Sequence, residues 1–140
     1  MVAASSAVAG NEADKVIDGN EGTVWKADGA PEQWLELTFA APTTINEFRI
    51  KEDPSSSIIR YTIQCWDASS KKWAGCFNGR GIGADFVAPI ISRTTQKVRL
   101  LVIQTTKDSP CITEFGAYND TTGDAFNDPT GAKAVSVQYK

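Results

Sequence analysis

Oxygen-bearing side chains and glycines are concentrated near the start of the chain, at residues 15–25. Asp18 and Asn20 are two positions apart, and Gly19 between them can adopt backbone angles that other residues avoid. Thr23 adds a hydroxyl group. Carboxylate, carbonyl and hydroxyl oxygens that converge on one turn are the ligands that calcium prefers. These residue types predict either a calcium loop or an Asp-Gly-Asn turn that binds nothing.

The chain contains no histidine, which removes the usual general base, the commonest zinc ligand and any Ser-His-Asp triad. It also lacks a Gly-x-Ser-x-Gly motif, a Walker loop and a dinucleotide-binding fingerprint. Two carboxylates alone can catalyse glycoside hydrolysis, but no acidic residue lies in a recognisable catalytic motif. We therefore expect that the chain is not an enzyme.

Charge and hydropathy exclude several classes of partner for this chain of 140 residues. The net charge of −3 argues against nucleic acid, which requires a basic face, and against anionic membranes bound by charge alone. No apolar run approaches the roughly 20 residues of a membrane span. The first residues also lack the pattern of a signal peptide.

Apolar and polar residues alternate with a period of two from residue 34 onward, and no stretch has a convincing helical period. This alternation is typical of strands with one buried face, and many short strands predict an all-β sandwich or barrel. We expect one domain over residues 1–120, followed by a linker or an added edge strand over 121–140. A turn is expected at 41–44, and the predicted strands are 34–39, 47–50, 59–65, 73–77, 86–89, 98–103 and 112–118.

The run from Ala13 to Trp25 resembles the opening signature of the discoidin family, also called the coagulation factor 5/8 type C domain, which includes carbohydrate-binding module family 32. The resemblance covers about residues 3–119, and the later half is most similar to modules appended to α-L-fucosidases. It implies a jelly-roll-like antiparallel β-sandwich of the galactose-binding type, in agreement with the alternation. Further pieces that resemble the family follow in order at 33–37, 45–50, 58–63, 98–100 and 112–115.

The resemblance also implies one structural calcium ion. Asp18 and Glu114 would supply carboxylates to it, and Thr23 would supply its hydroxyl and its carbonyl group. Because these residues belong to an early loop and to the last strand, the ion would join the two segments. The remaining ligands implied by the resemblance are the backbone carbonyl groups of Lys15, Asn20 and Thr113.

If successive strands alternate in direction, the loops between them fall at two ends of the sandwich. We call one the polar end; it holds loops 26–33, 51–57, 78–84 and 104–110. The other, the opposite end, holds loops 40–44, 67–72 and 89–97. The loops of the polar end are longer and carry more charged side chains than those of the opposite end, and binding residues tend to lie on such loops. The resemblance also implies that the ligand binds at this end. Its candidate ligand-binding residues are Lys26, Asp28, Glu52, Asp53, Asn78, Arg80 and Lys107.

Together, these observations favour a non-catalytic, calcium-containing carbohydrate-binding module that targets a linked glycoside hydrolase to glycans of the fucose or galactose type or to a related polysaccharide. The alternative is an adhesion domain, or a discoidin domain that binds lipid or protein. Polar loop tips disfavour lipid, because an interfacial anchor needs exposed apolar residues. We expect a monomer that is secreted or held at the cell surface, with no nucleic-acid or membrane partner.

Two further predictions concern single side chains. Cys76 and Cys111 fall at the same end and are expected to form a disulfide, while Cys65 stays a free buried thiol; the alternative is three free thiols. Arg80, surrounded by glycines, is either a ligand contact or the ion-pair partner of Asp85.

Overall fold

The structure is a computed structural model that describes residues 1–106 and 109–120, and it confirms the all-β fold. Lys107 and the predicted linker or edge strand at 121–140 lie outside the described residues. A short 3-10 helix at Ala13–Ile17 stands where only a loop was expected. None of the described helices is long and apolar enough to cross a membrane. The strands are β1 (Val2–Ala4), β2 (Trp25–Lys26), β3 (Gln33–Glu52), β4 (Ile58–Asp67), β5 (Lys72–Gly79), β6 (Phe86–Thr105) and β7 (Cys111–Tyr118).

All described strands pair antiparallel, in the order β2-β7-β3-β6-β4-β5, with β1 added on β3. Strands β3 and β6 each have 20 residues and pair with each other along most of their length. The first half of β3 and the second half of β6 lie with β4 and β5, whereas their other halves lie with β7. The sheet therefore folds over into the two layers of a sandwich.

The turn predicted at 41–44 does not separate two strands, because β3 continues through it. Pairing with β6 shifts register between Thr38 and Thr43, and Pro42 lies in this unpaired interval. Proline has no N–H to donate, so the chain can bend here without losing a ladder hydrogen bond. The sequence therefore predicted the bend correctly and the end of the strand wrongly.

Alternating side chains of both layers form the core. Leu35, Leu37 and Phe39 in the first half of β3 are fully buried, as are Phe48 and Ile50 in its second half. Burying a large aliphatic or aromatic side chain contributes roughly 1.5–3 kcal/mol. Both halves of the long strands are thus held against one continuous core.

The disulfide prediction was wrong: Cys65 bonds to Cys76, and Cys111 is a free buried thiol. Cys65 and Cys76 lie on the paired strands β4 and β5, with 6.3 Å between their Cα atoms. Cys111 opens β7, and β3, β6 and β4 lie between β7 and β5 in the sheet order. The pairing of β4 with β5 therefore brings Cys76 to Cys65 and to Arg93, away from Cys111 at the polar end.

The outer face of the β4–β5 layer carries an alternating row of aromatic and cationic side chains, which we call the tryptophan stack. The guanidinium of Arg99 lies 5.0 Å from the ring centre of Trp34 and 4.2 Å from that of Trp73. The Lys97 ammonium lies 4.2 Å from the Trp66 ring centre and 5.6 Å from that of Trp73. Such cation–π contacts contribute about 0.5–2 kcal/mol each, so the stack ties the four strands β3, β4, β5 and β6 together.

Candidate functional site

The four loops assigned to the polar end are joined by backbone hydrogen bonds in the structure. Loop 51–57 receives the most of these contacts, because it bonds to the loops on either side of it. The N–H to carbonyl pairs are Ala27 to Pro110, Glu52 to Gly83, Asp53 to Cys111 and Thr106 to Ser57, at 2.9–3.1 Å. Strand alternation therefore grouped these loops correctly.

Glu52 organises the polar end from within. Its side chain is buried, and its carboxylate accepts hydrogen bonds from the Ser56 hydroxyl at 2.9 Å, the Ile58 N–H at 2.7 Å and the Gly83 N–H at 3.0 Å. Both carboxylate oxygens are used by these three donors. Glu52 therefore positions loops 51–57 and 78–84 rather than offering a free carboxylate to a ligand.

The other candidate side chains divide into two groups. Lys26 on β2 pairs with Cys111 on β7, and Asp28 lies two residues after Lys26 in the chain. Asn78 and Arg80 lie at the end of β5, at the other edge of the sheet. These four side chains are exposed. Asp53 is partly buried, and hydrogen bonds from the hydroxyl and N–H of Ser55 lower the pKa of its carboxyl group.

Asn78 and Arg80 border a shallow hollow of about 340 Å³, which we call the polar-end depression. Neither Arg60 nor Arg80 forms an ion pair with any residue in the described ranges, so the alternative pairing of Arg80 with Asp85 is not seen. Sequence reasoning missed Arg60, because it occupies an ordinary polar position in a strand. The lining residues are Arg60, Tyr61, Asn78, Gly79, Arg80 and Ile103.

Tyr61 packs closely against the backbone of the depression. Its ring contacts Phe77 and Phe86, with centroid distances of 6.2 and 6.4 Å. A Cβ added at Gly79 would overlap the tip of the Tyr61 ring, so only glycine fits there. Burial, followed by the nearby charge of Glu52, raises the pKa of the Tyr61 hydroxyl. The Gly79 backbone is thus fixed against a rigid aromatic cluster.

The predicted calcium loop forms a tight turn of oxygen atoms. The Asp18 carboxylate accepts hydrogen bonds from the Thr23 hydroxyl and, at 2.9 Å, from the Asn20 N–H. These two bonds lower the pKa of Asp18. The Thr23 hydroxyl oxygen also lies 2.9 Å from the Asn20 carbonyl oxygen, and Gly19 has a positive φ of 71°. Side-chain and backbone oxygens of three predicted ligands therefore converge.

Glu114 on β7 brings a second carboxylate towards this loop. Burial raises its pKa, and the negative charge of Asp18 raises it further. Two carboxylates that repel each other beside carbonyl and hydroxyl oxygens form a donor set that fits a hard divalent cation. The residues of 1–106 and 109–120 contain no group of three acidic, histidine or cysteine side chains that could hold a metal ion. A cation here would therefore depend on backbone carbonyls as well.

A larger hollow, of about 610 Å³, lies at the opposite end, where the sequence predicted no ligand. We call it the opposite-end cavity. It lies between the turn after β4 and the middle of β6, so strand residues form much of its wall. Among the residues that line it are Trp66, Asp67, Arg93, Thr95, Gln96 and Lys97.

Comparison with known proteins gives a family match and several similar folds. The family model of the F5/8 type C, NedA-like, galactose-binding domain matches residues 15–137. Chitosan-binding module 1 from a Paenibacillus sp. IK-5 chitosanase/glucanase is 24% identical, with a TM-score of 0.78, over 85% of this chain and 94% of that module. No curated protein matches the chain.

Two other solved structures share the fold at lower identity. A Ruminococcus gnavus GH29 fucosidase in complex with fucose is 20% identical, with a TM-score of 0.77, over 86% of this chain but 25% of the fucosidase. The Clostridium perfringens module CpGH89CBM32-5, in complex with GalNAc-β-1,3-galactose, is 17% identical, with a TM-score of 0.74, over 84% and 93% of the two chains. These likenesses confirm the sandwich fold.

Proposed function

We propose that this chain, which belongs to the F5/8 type C family of NedA-like galactose-binding domains, is a non-catalytic carbohydrate-binding module. The family match over residues 15–137 is the observation that carries the proposal. Carbohydrate-binding modules among the structural neighbours support it. The absence of histidine from the sequence and of a recognisable catalytic motif agrees with a role in binding rather than hydrolysis.

The polar-end depression is our proposed glycan site. Guanidinium and amide groups bind vicinal hydroxyls of a sugar through paired hydrogen bonds, and Arg60, Asn78 and Arg80 supply these groups around one hollow. The hollow is shallow and buries little apolar surface. We therefore expect weak binding, with a dissociation constant of about 0.1–1 mM.

A glycan array followed by titration calorimetry tests the proposal. Arg80→Ala should weaken binding of the glycan selected on the array more than Lys71→Ala, because Lys71 is exposed in the turn at the opposite end. Equal effects, or a larger effect of Lys71→Ala, would show that the polar end is not the binding end. Hydrolysis of an aryl glycoside that disappears on substitution of an acidic residue would contradict a non-catalytic function.

We further propose that the module is linked to a glycoside hydrolase and is secreted or held at the cell surface as a monomer. The fucosidase comparison supports the linkage, because the aligned region is 25% of that enzyme. The lipid-binding alternative has less support. Loop 51–57 presents Asp53, Pro54 and Ser55, and no large apolar side chain of that loop is exposed.

We also propose that a structural calcium ion binds between the early loop and β7. Asp18 and Glu114 would provide carboxylates, Thr23 would provide its hydroxyl and carbonyl groups, and the backbone carbonyls would come from Lys15, Asn20 and Thr113. The converging oxygens of the loop and the mutual repulsion of the two carboxylates support this proposal. Calcium would neutralise both charges and hold the loop against the strand.

A further inference from the structure

The opposite-end cavity has the dimensions of a small-molecule site. Its volume of about 610 Å³ lies within the roughly 300–1,000 Å³ typical of ligand pockets and exceeds the 340 Å³ of the polar-end depression. Its walls are held in place by hydrogen bonds. The hydroxyl of the buried Thr95 donates to the Trp66 carbonyl at 2.8 Å, and the Gln96 amide donates to the Phe39 carbonyl at 3.1 Å.

Trp66 gives the cavity an aromatic wall. Its ring is half-buried and is fixed edge-on by Trp73, with a centroid distance of 5.3 Å and an interplanar angle of 71°. The disulfide between Cys65 and Cys76 adds a covalent link beside it. An indole held in this way can pack against the apolar face of a sugar ring with little loss of side-chain entropy on binding.

Two cations at the cavity have no acidic partner among the described residues. The Lys97 ammonium contacts the Trp66 and Trp73 rings, and Arg93 donates to the Cys76 sulfur at 3.1 Å. Neither forms an ion pair within residues 1–106 and 109–120. The one carboxylate of the lining, Asp67, already accepts hydrogen bonds from the N–H and hydroxyl of Ser69, both at 2.9 Å.

We propose that the opposite-end cavity is a second glycan site, selective for an anionic pyranoside such as a uronate or a sulfated sugar. The carboxylate or sulfate would bind Lys97 and Arg93, and the sugar ring would pack on Trp66. A neutral sugar would leave both cations without a counter-charge, whereas an anionic one compensates them. This site lies at the other end from the glycan site proposed above and is independent of it.

Titration calorimetry with matched probes tests the second site. The probes are trigalacturonic acid, its fully methyl-esterified form and a trisaccharide of galactose 6-sulfate. At least one acidic trisaccharide should bind ten times more tightly than the neutral ester, and in ¹⁵N NMR spectra it should shift the indole N–H signal of Trp66. The proposal is overturned if neither acidic probe binds, if the ester binds as tightly, or if inorganic sulfate competes as well as the sugar.

Substitutions locate the binding. Lys97→Met removes the positive charge but keeps an apolar side chain packed against the Trp66 ring. It should lower the affinity for the acidic trisaccharide about tenfold. Lys72→Met, at an exposed lysine of the same end that does not line the cavity, is the charge-matched control and should change the affinity less than twofold. Arg93→Gln provides a second test if Lys97→Met unfolds.

Wild-type affinity in both Lys97→Met and Arg93→Gln would overturn the proposal. Arg80→Ala distinguishes the two sites, because it alters only the polar end. It should leave the affinity for the acidic trisaccharide unchanged. Loss of acidic binding in Arg80→Ala would assign that binding to the polar end and would also overturn the second site.

Discussion

The two ends of this sandwich are built in different ways. At the polar end, loops meet through backbone hydrogen bonds and a buried carboxylate, and Arg60, Asn78 and Arg80 beside them border a depression of about 340 Å³. At the opposite end, strands and one turn enclose about 610 Å³ beside the tryptophan stack. The end with the longer polar loops is therefore not the end with the larger of these two hollows.

The difference has an energetic consequence. The exposed side chains of Arg60 and Arg80 must lose conformational entropy when they bind, whereas Trp66 and Lys97 are already ordered by the stack. The polar end instead depends on a few buried contacts that hold its loops together. We therefore expect substitutions at those contacts to be costly there, and equivalent substitutions at the opposite end to be mild.

Replacing Glu52 should have the largest effect. Glu52→Ala leaves the buried N–H of Ile58 and the buried hydroxyl of Ser56 without an acceptor, and each unsatisfied group costs about 1–3 kcal/mol. We expect a loss of roughly 3 kcal/mol or more in the free energy of unfolding, measured by urea denaturation. The control is Asp67→Ala, because Asp67 also accepts three hydrogen bonds, in an exposed turn. Equal losses would contradict the contrast between the ends.

Removing calcium should cause the next largest loss of stability, and the loss should be confined to the early loop and β7. An ion that binds only the folded chain stabilises it by about 2.7 kcal/mol at one hundred times its dissociation constant. Chelation should lower the melting temperature and reduce amide-exchange protection at 18–26 and 111–114, but not at 93–99. An unchanged melt, with metal loss confirmed by elemental analysis, would count against the ion.

Glu114→Gln gives a sharper test of the same ion, because its effect on the free energy of unfolding should have opposite signs with and without calcium. Burial and Asp18 raise the pKa of Glu114, so in metal-free protein its ionised form opposes folding above that pKa, and the penalty disappears as the pH falls through it. At pH 7 the variant should be more stable than the wild type without calcium and less stable with it. The same sign in both conditions would argue that Glu114 is not a ligand.

Substituting Gly79 should have the smallest of these effects, about 1–3 kcal/mol. A Cβ in Gly79→Ala overlaps Tyr61, which Phe77 and Phe86 hold in place. Gly75→Ala, on the same strand, is the matched control, because an added Cβ there meets nothing within 4 Å. Thermal unfolding of the two variants should separate them; similar melting temperatures would show that the Tyr61 ring can move.

The sequence predicted features that depend on neighbours along the chain. Period-two alternation located the buried faces of β3 and β4. Features that depend on strand order were not predictable in this way. Strand alternation predicted Cys76 at the same end as Cys111, but the structure places Cys76 beside Arg93, and the order β2-β7-β3-β6-β4-β5 puts three strands between the strands that carry the two cysteines.

The candidate sites show the same limit. The oxygen-rich turn at Asp18 is local, so its residue types indicated it directly. Glu52 was expected to contact a ligand, because nothing near it in the sequence shows that the N–H of Gly83 points at its carboxylate. Trp66 and Lys97 meet across two strands, and the cavity beside them has no sequence motif.

The tryptophan stack contains three of the chain's four indoles, Trp34, Trp66 and Trp73, and the fourth, Trp25, lies apart from it. Trp25 is fully buried near the predicted calcium loop, whereas Trp66 and Trp73 face each other edge-on at 5.3 Å and share the Lys97 cation. Two indoles that close can couple their strong electronic transitions, so we expect the pair to give the opposite end a circular dichroism couplet of its own in the far ultraviolet. The protein thus carries a built-in chromophore pair that reports on one end of the sandwich separately from the other.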